Sequence, residues 1–147
     1  MTYKLPVSVL VVVHTAEMEV LLIERAARAG FWQSVTGSID WPGEPLEDTA
    51  RREVLEETGI DARRGRLERM NAVNRFEIYL RWRHRFAPGV THNTEHAFRL
   101  ELARREAVKL APGEHTAYAW LSWRDAAAQC FSWSNRDAII MLAETLC

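Results

Sequence analysis

Short runs of apolar and β-branched residues open the chain and predict two strands. One run covers residues 7–13 and a second covers residues 19–24, with a polar segment at residues 14–17 between them. The short connection predicts that the two strands form a hairpin. A third short strand is predicted over residues 31–36, because a loop containing glycine and proline follows it.

The segment after this loop has the marks of a helix. Pro45 stands where a first helical residue is tolerated, and Glu47 and Asp48 place negative charge in the first turn. Gly59 provides a stop at the C-terminal end. The helix is therefore predicted over residues 45–58.

The second half of the chain contains a strict alternation of apolar and polar residues, from residue 75 to residue 86. This period of two predicts one long strand. Residues 97–102 predict its neighbour after the turn at Pro88 and Gly89. Another short strand is predicted over residues 118–121.

Two segments near the end of the chain have the spacing of a helix capping box, and each predicts a helix that begins at its serine. They are Ser122-Trp123-Arg124-Asp125 and Ser134-Asn135-Arg136-Asp137. Strands therefore lie before and after an internal helix, and more helix ends the chain. This order favours a mixed α/β sandwich.

Length and composition are those of an ordinary globular protein. The 147 residues are 48 % hydrophobic and 27 % charged, which predicts one domain over residues 1–147. A net charge of −1 gives no general attraction to nucleic acid or an anionic membrane, so neither is expected as a partner. Cys130 and Cys147 lack metal-site spacing, and the apolar run at residues 5–13 is too short for a membrane span. We therefore expect ordinary thiols and a cytoplasmic location.

Three glutamates share one face of the predicted helix. At about 100° per residue, Glu53, Glu56 and Glu57 fall within one arc of roughly 100°. Like charges at this spacing disfavour each other, so the cluster needs a countercharge. Mg²⁺ would supply it, because this ion takes oxygen ligands from one or two carboxylates together with phosphates and water. A solvated acidic face paired with Arg51 and Arg52 is the alternative, and the spacing alone leaves both open.

The acidic cluster belongs to a longer pattern. In order, the pattern is Gly37, six residues, Glu44, seven residues, Arg52-Glu53-Val54, one residue, Glu56-Glu57, one residue, Gly59-Ile60. From Glu44 onward, its chance frequency in a chain of this length is on the order of one in a million. The pattern resembles the signature of the Nudix hydrolases, except that five residues rather than six separate the first glycine from the first glutamate in that family.

The resemblance implies a Nudix-type α/β/α sandwich with a mixed central sheet. It also implies hydrolysis of a diphosphate linked to another group, assisted by Mg²⁺ or by Mn²⁺ in its place. By the resemblance, Glu53, Glu57 and Glu114 ligate the metal and take part in catalysis. Glu56 is a further implied ligand, and Arg52 belongs to the catalytic site by orienting the glutamates. A later loop carboxylate is chemically sensible, because one helix face cannot surround a cation.

Segments outside the signature resemble one branch of the family, the enzymes that remove pyrophosphate from 7,8-dihydroneopterin triphosphate in folate synthesis. These segments include residues 31–38, 76–78, 83–91, 93–95 and 132–136. The resemblance implies a small-molecule triphosphate as substrate and the monophosphate as product. The implied substrate-binding residues are Lys4, Arg25, Thr36, Phe76, Glu77, Ile78, Tyr79 and Ser132.

The chemistry of these implied residues suits the substrate. Lys4 and Arg25 would meet phosphate oxygens, and the aromatic and backbone groups of residues 76–79 suit a flat, hydrogen-bonding ring. Core packing explains Phe76 and Ile78 equally well.

Two other functions stay open at this point. One is a Nudix diphosphatase that removes (deoxy)nucleoside triphosphates in a housecleaning role, and the other is a Nudix-like binding module without catalysis. The intact glutamates and Arg52 argue against the binding module. The sequence leaves the oligomeric state open.

Overall fold

The computed structural model of the protein describes residues 2–146. The strands are β1 (Val7–Thr15), β2 (Glu19–Arg25), β3 (Trp32–Gln33), β4 (Val35–Ser38), β5 (Arg66–Glu77), β6 (His92–Leu102) and β7 (His115–Ser122). The helices are α1 (Leu46–Thr58), α2 (Trp123–Gln129) and α3 (Trp133–Leu146), with 3-10 segments at Ala62–Arg64 and Leu80–Arg85. Within residues 2–146, no helix has the length and apolar character needed to cross a membrane.

The strands form one mixed sheet. Its order is β3-β2-β1-β6-β5, with β4 paired to β1 and β7 paired to β2. β1 runs parallel to β6 and antiparallel to β2 and β4. The antiparallel pairing of β1 with β2 confirms the predicted hairpin.

Both faces of β1 are covered, which explains its nearly continuous apolar sequence. The odd-numbered residues 9–13 pack in one cluster with Ala50 and Val54 of α1. Leu10 packs in a second cluster with Ile139 of α3. Helices thus cover the two faces of a mixed sheet, which confirms the α/β/α sandwich.

The first helix begins one residue later than predicted and ends where predicted. Pro45 is its N-cap residue, and Glu47 and Asp48 lie in its first turn. Gly59 closes the helix in the left-handed conformation with φ 74°, and its N–H donates to the Leu55 carbonyl. A glycine adopts this conformation without the steric cost of a Cβ atom.

The strand predicted over residues 75–86 is wrong. β5 lies earlier in the chain and ends at Glu77, and Leu80–Arg85 forms a 3-10 segment. The chain turns because the Ile78 N–H donates to the Thr91 carbonyl and Arg83 Nε donates to the Ile78 carbonyl, at 2.8 and 3.0 Å. Leu80 is 78 % exposed, so the alternation did not mark a buried face.

Two further expectations need correction. The strand expected over residues 31–36 is divided into β3 and β4 at Ser34, whose N–H donates to Oδ1 of Asn135 at 2.7 Å. α3 begins at Trp133 rather than Ser134, and Ser132 Oγ accepts a hydrogen bond from the Asn135 N–H. Ser122 is the N-cap of α2, as predicted.

Cys130 is a free, half-buried thiol, and burial raises its pKa to about 12. This thiol is unreactive at neutral pH, because the thiolate is the nucleophilic form. Cys147 lies outside the described residues.

Candidate active site

Two glutamates one turn apart on α1 form the centre of the site. Glu57 is 4 % exposed and the Glu53 side chain is 13 % exposed, and each carboxyl group shifts the pKa of the other. Burial raises the pKa of both carboxyls, and the pKa of Glu57 is raised further by Glu53 and by the charge of Glu114. Oε1 of Glu57 has no hydrogen-bond partner. The pair therefore fits a divalent cation, which would take the place of a shared proton and use the free oxygen.

Gly37 allows β4 to lie directly against this pair. A Cβ atom at Gly37 would overlap Cδ and Cγ of Glu53. Gly37 is paired with Val9 of β1, so the sheet fixes its position beneath the helix. A glycine is required here for close approach rather than for an unusual backbone conformation.

The extra residue between Gly37 and Glu44 is accommodated in a turn. The Glu44 N–H donates to the Trp41 carbonyl at 3.1 Å, and Oε1 of Glu44 accepts from the Asp40 N–H at 2.8 Å. Trp41 is 53 % exposed and projects from the turn. The longer loop therefore leaves Gly37 and α1 in contact.

Arg52 ties the loop to the glutamates. Its guanidinium donates to Oε1 of Glu44 at 3.0 Å, to Oε1 of Glu53 at 2.8 Å and to the Ser38 carbonyl at 3.2 Å. Burial alone would raise the pKa of Glu44, but hydrogen bonds from the Asp40 backbone and from Arg52 outweigh it, and the pKa is lowered. These contacts are compatible with the positioning role expected of Arg52, which stays a prediction.

The other two predicted ligands lie apart from the central pair. Glu56 has a 55 % exposed side chain, and its closest charged partner is Arg52 at 3.8 Å. Glu114 is exposed on a turn, and its backbone carbonyl accepts a hydrogen bond from the Ala26 N–H at 2.9 Å. In the part of the chain that the structure describes, no three acidic, His or Cys side chains are already gathered around one point. The structure thus brings Glu53 and Glu57 together, with Glu114 close enough to influence Glu57 by its charge.

His115 faces the same carboxylate pair from the start of β7. Its Nε2 lies 3.8 Å from Oε1 of Glu57, and its side chain is 6 % exposed. Burial lowers the pKa of this imidazole, and its Nδ1 has no hydrogen-bond partner. A neutral histidine is therefore available beside Glu57.

A cavity of about 420 Å³ is lined in part by Gly37, the residue that packs against the Glu53 side chain. All eight residues that were expected to bind substrate line this cavity: Lys4, Arg25, Thr36, Phe76, Glu77, Ile78, Tyr79 and Ser132. The structure therefore places them around one space, although they come from five separate parts of the sequence. Their roles toward a substrate stay predictions.

Two cations mark the side of the cavity that faces the glutamates. Burial lowers the pKa of Lys4, whereas the nearby charges of Glu53 and Glu57 raise it. Arg25 interacts with the charges of Glu57 and Glu114, and its Nη1 donates a hydrogen bond to Oε1 of Gln33 at 3.3 Å. Positive charge thus adjoins the place where a metal-bound phosphate chain would lie.

Aromatic side chains that the sequence analysis missed form one wall of the cavity. Trp82 packs edge-on against Phe131, with ring centroids 6.4 Å apart, and the Arg25 guanidinium lies 4.8 Å from the Trp82 ring centre. Arg85 also lines the cavity, whereas Arg81 packs on the Trp82 ring outside it. Trp82 was missed because the predicted strand placed it on a core face.

Asn93 and Glu95 were also missed as site residues. Both line the cavity and both are buried. Residues 93–95 carried part of the family resemblance, which was the one available signal, but no role followed from it. The site therefore combines a carboxylate pair, two cations, an aromatic wall and a buried polar patch, which suits a phosphorylated ring compound.

A model of the NUDIX domain matches residues 4–142 of the chain. The chain belongs to the Nudix family. This match covers α1 with its glutamates and the cavity-forming strands. It confirms the resemblance that the signature indicated, and Nudix hydrolases generally use divalent metal ions.

Two curated relatives carry the name dihydroneopterin triphosphate diphosphatase. The one from Escherichia coli (strain K12) is 45 % identical over 140 residues, which cover 93 % of this chain and 91 % of the relative. The one from Haemophilus influenzae is 37 % identical over 142 residues, which cover 95 % of this chain and 88 % of the relative. Both relatives are therefore matched over nearly their whole length.

Solved structures give the same result for the fold. The structure of the E. coli dihydroneopterin triphosphate pyrophosphohydrolase superposes with a TM-score of 0.89 at 43 % identity, and the match covers 99 % of each chain. A Caenorhabditis elegans Ap4A hydrolase superposes with a TM-score of 0.74 at 19 % identity, covering 97 % of this chain and 98 % of the other. The second likeness shows the fold alone.

Proposed function

We propose that this Nudix protein hydrolyses 7,8-dihydroneopterin triphosphate to the monophosphate and pyrophosphate, as a step of folate biosynthesis. One observation carries the proposal: the eight residues expected to bind this substrate surround one cavity next to the buried carboxylate pair. The names and the high coverage of the two curated relatives support the same substrate. The whole chain, residues 1–147, would act as a single Nudix domain.

We propose Mg²⁺ as the metal, with Mn²⁺ able to replace it. The available donors around Glu53 and Glu57 are carboxylate oxygens, which hard cations prefer, and Mg²⁺ commonly uses one or two carboxylates with substrate phosphates and water. Bound Mg²⁺ would neutralise phosphate charge and lower the pKa of water. Glu53 and Glu57 are the proposed main ligands, and Glu114 joins them from its turn. Glu56 is proposed only as an outer contributor, because its side chain lies toward solvent.

The cations and the turn have separate proposed tasks. Lys4 and Arg25 hold the phosphate chain, since both line the cavity and both lie close enough to the glutamates to interact with their charges. Glu114 and neutral His115 orient the attacking water and receive its proton. This water forms a bond to phosphorus as the bond to the pyrophosphate oxygen breaks, so the products are the monophosphate and pyrophosphate.

A small phosphorylated metabolite is the proposed partner, with no nucleic acid or membrane involved. Folate intermediates of this charge do not cross membranes unaided, so the substrate would be met in the cytoplasm. The (deoxy)nucleoside triphosphate alternative would use the same carboxylates and differ only in the ring that fills the cavity. The two functions can therefore be separated by substrate preference alone.

The test is a substrate panel with the purified protein. We expect kcat/KM for dihydroneopterin triphosphate to exceed the values for dATP and GTP, with pyrophosphate rather than orthophosphate released, and no turnover in excess chelator. Mg²⁺ and Mn²⁺ are titrated back separately to rank the two ions. A tenfold or greater preference for dATP or GTP would transfer the assignment to the nucleotide alternative, and full turnover in chelator would contradict the metal role.

A further inference from the structure

Two buried acceptors lie two residues apart on β6, in the wall of the cavity. Asn93 and Glu95 are two residues apart, so their side chains project from the same face of the strand. This is the face toward α3, because Ala97 packs in the cluster with Ile139. Both residues line the cavity, and they are only 7 % and 6 % exposed. Part of the cavity wall is therefore polar and buried.

Each of these side chains keeps one oxygen without a partner. Nδ2 of Asn93 donates to Oγ of Ser8 at 2.7 Å, and Oδ1 of Asn93 is left without a hydrogen bond. Oε1 of Glu95 also has none. Buried acceptors are almost always paired, and leaving them unpaired is costly. Two such atoms on one cavity wall indicate a ligand that supplies donors.

The packing around Glu95 does not explain why a carboxylate is buried at this position. Burial raises the pKa of Glu95, and the neighbouring Ser134 hydroxyl lowers it by less. Oε1 of Glu95 is left without a partner. The neighbouring Asn135 is already occupied, because its Oδ1 and Nδ2 both bond to Ser34. No Lys, Arg or His of residues 2–146 forms an ion pair with Glu95, so it is not half of a structural salt bridge.

We propose that Glu95 and Asn93 bind the amidine edge of the substrate ring, and that this contact sets the choice of ring. The proposal rests on the proposed function. A pterin presents a ring N–H and an exocyclic amino group side by side, and one carboxylate accepts both in parallel bonds. Oδ1 of Asn93 accepts the remaining amino hydrogen. The phosphate chain then extends from the ring toward Lys4 and Arg25.

This arrangement discriminates between rings by chemistry. Guanine carries the same pair of donors on adjacent atoms, whereas the corresponding edge of adenine presents an acceptor beside its amino group. An adenine placed in the cavity would oppose an acceptor to the Glu95 carboxylate. Adenine nucleotides are therefore the poorest substrates, and guanine nucleotides are the expected competitors.

The test uses the variant Glu95→Gln, which keeps the shape of the side chain but turns an amide toward the ring donors. We expect kcat/KM for dihydroneopterin triphosphate to fall about 10- to 100-fold, mainly through a higher KM, as for loss of a bidentate contact. The matched control is Glu101→Gln at the other end of β6, where Glu101 is bonded to Arg99 outside the cavity. This control should stay within twofold of the unmodified protein.

Binding of neopterin without phosphates tests the contact separately from turnover. The unmodified protein should bind neopterin and guanosine more tightly than adenosine, and Glu95→Gln should bind neopterin at least tenfold more weakly. Equal neopterin binding by this variant, or no preference of the unmodified protein for neopterin over adenosine, would overturn the inference. Failure to hydrolyse dihydroneopterin triphosphate despite this preference would reject only the proposed substrate.

Folding of the variants is checked by thermal melts. Glu95→Gln should melt at the same temperature as the unmodified protein or higher, because it removes a buried ionisable group without a countercharge. A lower melting temperature with unchanged neopterin affinity would show that Glu95 is structural, contrary to the inference. Asn93→Ala is the second variant, and it should also weaken neopterin binding.

Discussion

Gly37 of β4 and Glu53 of α1 are packed so closely that a single methyl group cannot fit between them. A Cβ atom at Gly37 would overlap Cδ and Cγ of Glu53. The glycine of the signature is therefore needed for the position of a carboxylate, because Gly37 has no left-handed backbone conformation to explain it. The Glu53 side chain of α1 therefore packs directly on the Gly37 backbone of β4.

Gly37→Ala should inactivate the enzyme while leaving it folded. The added methyl group displaces the Glu53 side chain, which can rotate toward solvent, so we expect turnover to fall on the order of 10²-fold or more. The melting temperature should change little, since a side chain rather than the backbone gives way. Steady-state kinetics and thermal melts on the same preparation check both expectations.

Gly65→Ala is the matched control for this substitution. Its Cβ atom would overlap the Glu101 backbone carbonyl and lie 2.8 Å from Cδ2 of Leu102, and neither neighbour belongs to the carboxylate pair. This variant should lose stability and keep its turnover per folded molecule. A Gly37→Ala enzyme that is as active as the unmodified protein would contradict the close-packing argument.

Like Gly37→Ala, Glu57→Gln should lower activity without lowering stability. The carboxylate is buried, and burial raises its pKa, so replacing it with a neutral side chain removes a desolvation penalty. We expect kcat to fall on the order of 10²-fold or more, the Mg²⁺ concentration for half-maximal rate to rise, and the melting temperature to hold or increase. Asp48→Asn, at an exposed position of the same helix, is the control. Turnover within twofold of normal would remove Glu57 from the metal site.

Local sequence signals predicted the elements whose determinants are local. β1 is an apolar run, and α1 has acidic residues at its start and a glycine at its end, so both were found within a few residues. The strand predicted over residues 75–86 failed for a long-range reason. The Ile78 N–H bonds to Thr91, and arginines pack on the Trp82 ring. Neither contact produces a periodic pattern of residues in the sequence.

The site was predictable to the extent that the signature describes it. The pairing of Glu53 with Glu57 follows from their spacing on a helix, and the structure brings these two together. The position of Glu56 toward solvent does not follow from spacing, because it depends on how α1 rotates against β4. Glu95 was not predicted as a site residue, because a glutamate in an alternating strand is typical of a solvated face. Its burial depends on α3, which is distant in sequence.

The ion pair between Arg52 and Glu44 should make part of the stability depend on pH. The pKa of Glu44 is lowered from its ordinary value of 4.5, so its stabilising effect is complete above that value and is lost as the pH falls through the lower folded pKa. Glu44→Gln should therefore cost about 1–3 kcal/mol in free energy of unfolding at pH 7, and less at pH 3. Urea unfolding at both pH values measures this difference. An equal cost at the two pH values would show that charge is not involved.

Glu114 should act in turnover although the structure holds it on an exposed turn. Its charge already raises the pKa of Glu57, and Pro112 and Gly113 precede it in a turn that can shift toward a bound metal and triphosphate. Glu114→Gln should lower kcat at least tenfold and raise the Mg²⁺ requirement, with a melting temperature close to normal, because an exposed side chain contributes little to the core.

Glu106→Gln provides the matched comparison for Glu114, since Glu106 is also a loop carboxylate but pairs with Arg64 at 3.0 Å. We expect this variant to keep its kcat, because Glu106 does not line the cavity or influence Glu57. A structural role for Glu114 would give the reverse order, with a lower melting temperature and a normal kcat at saturating Mg²⁺. In that case Glu53 and Glu57 would hold the metal without a third carboxylate, and His115 at 3.8 Å from Glu57 would be the remaining group able to accept the proton of the attacking water.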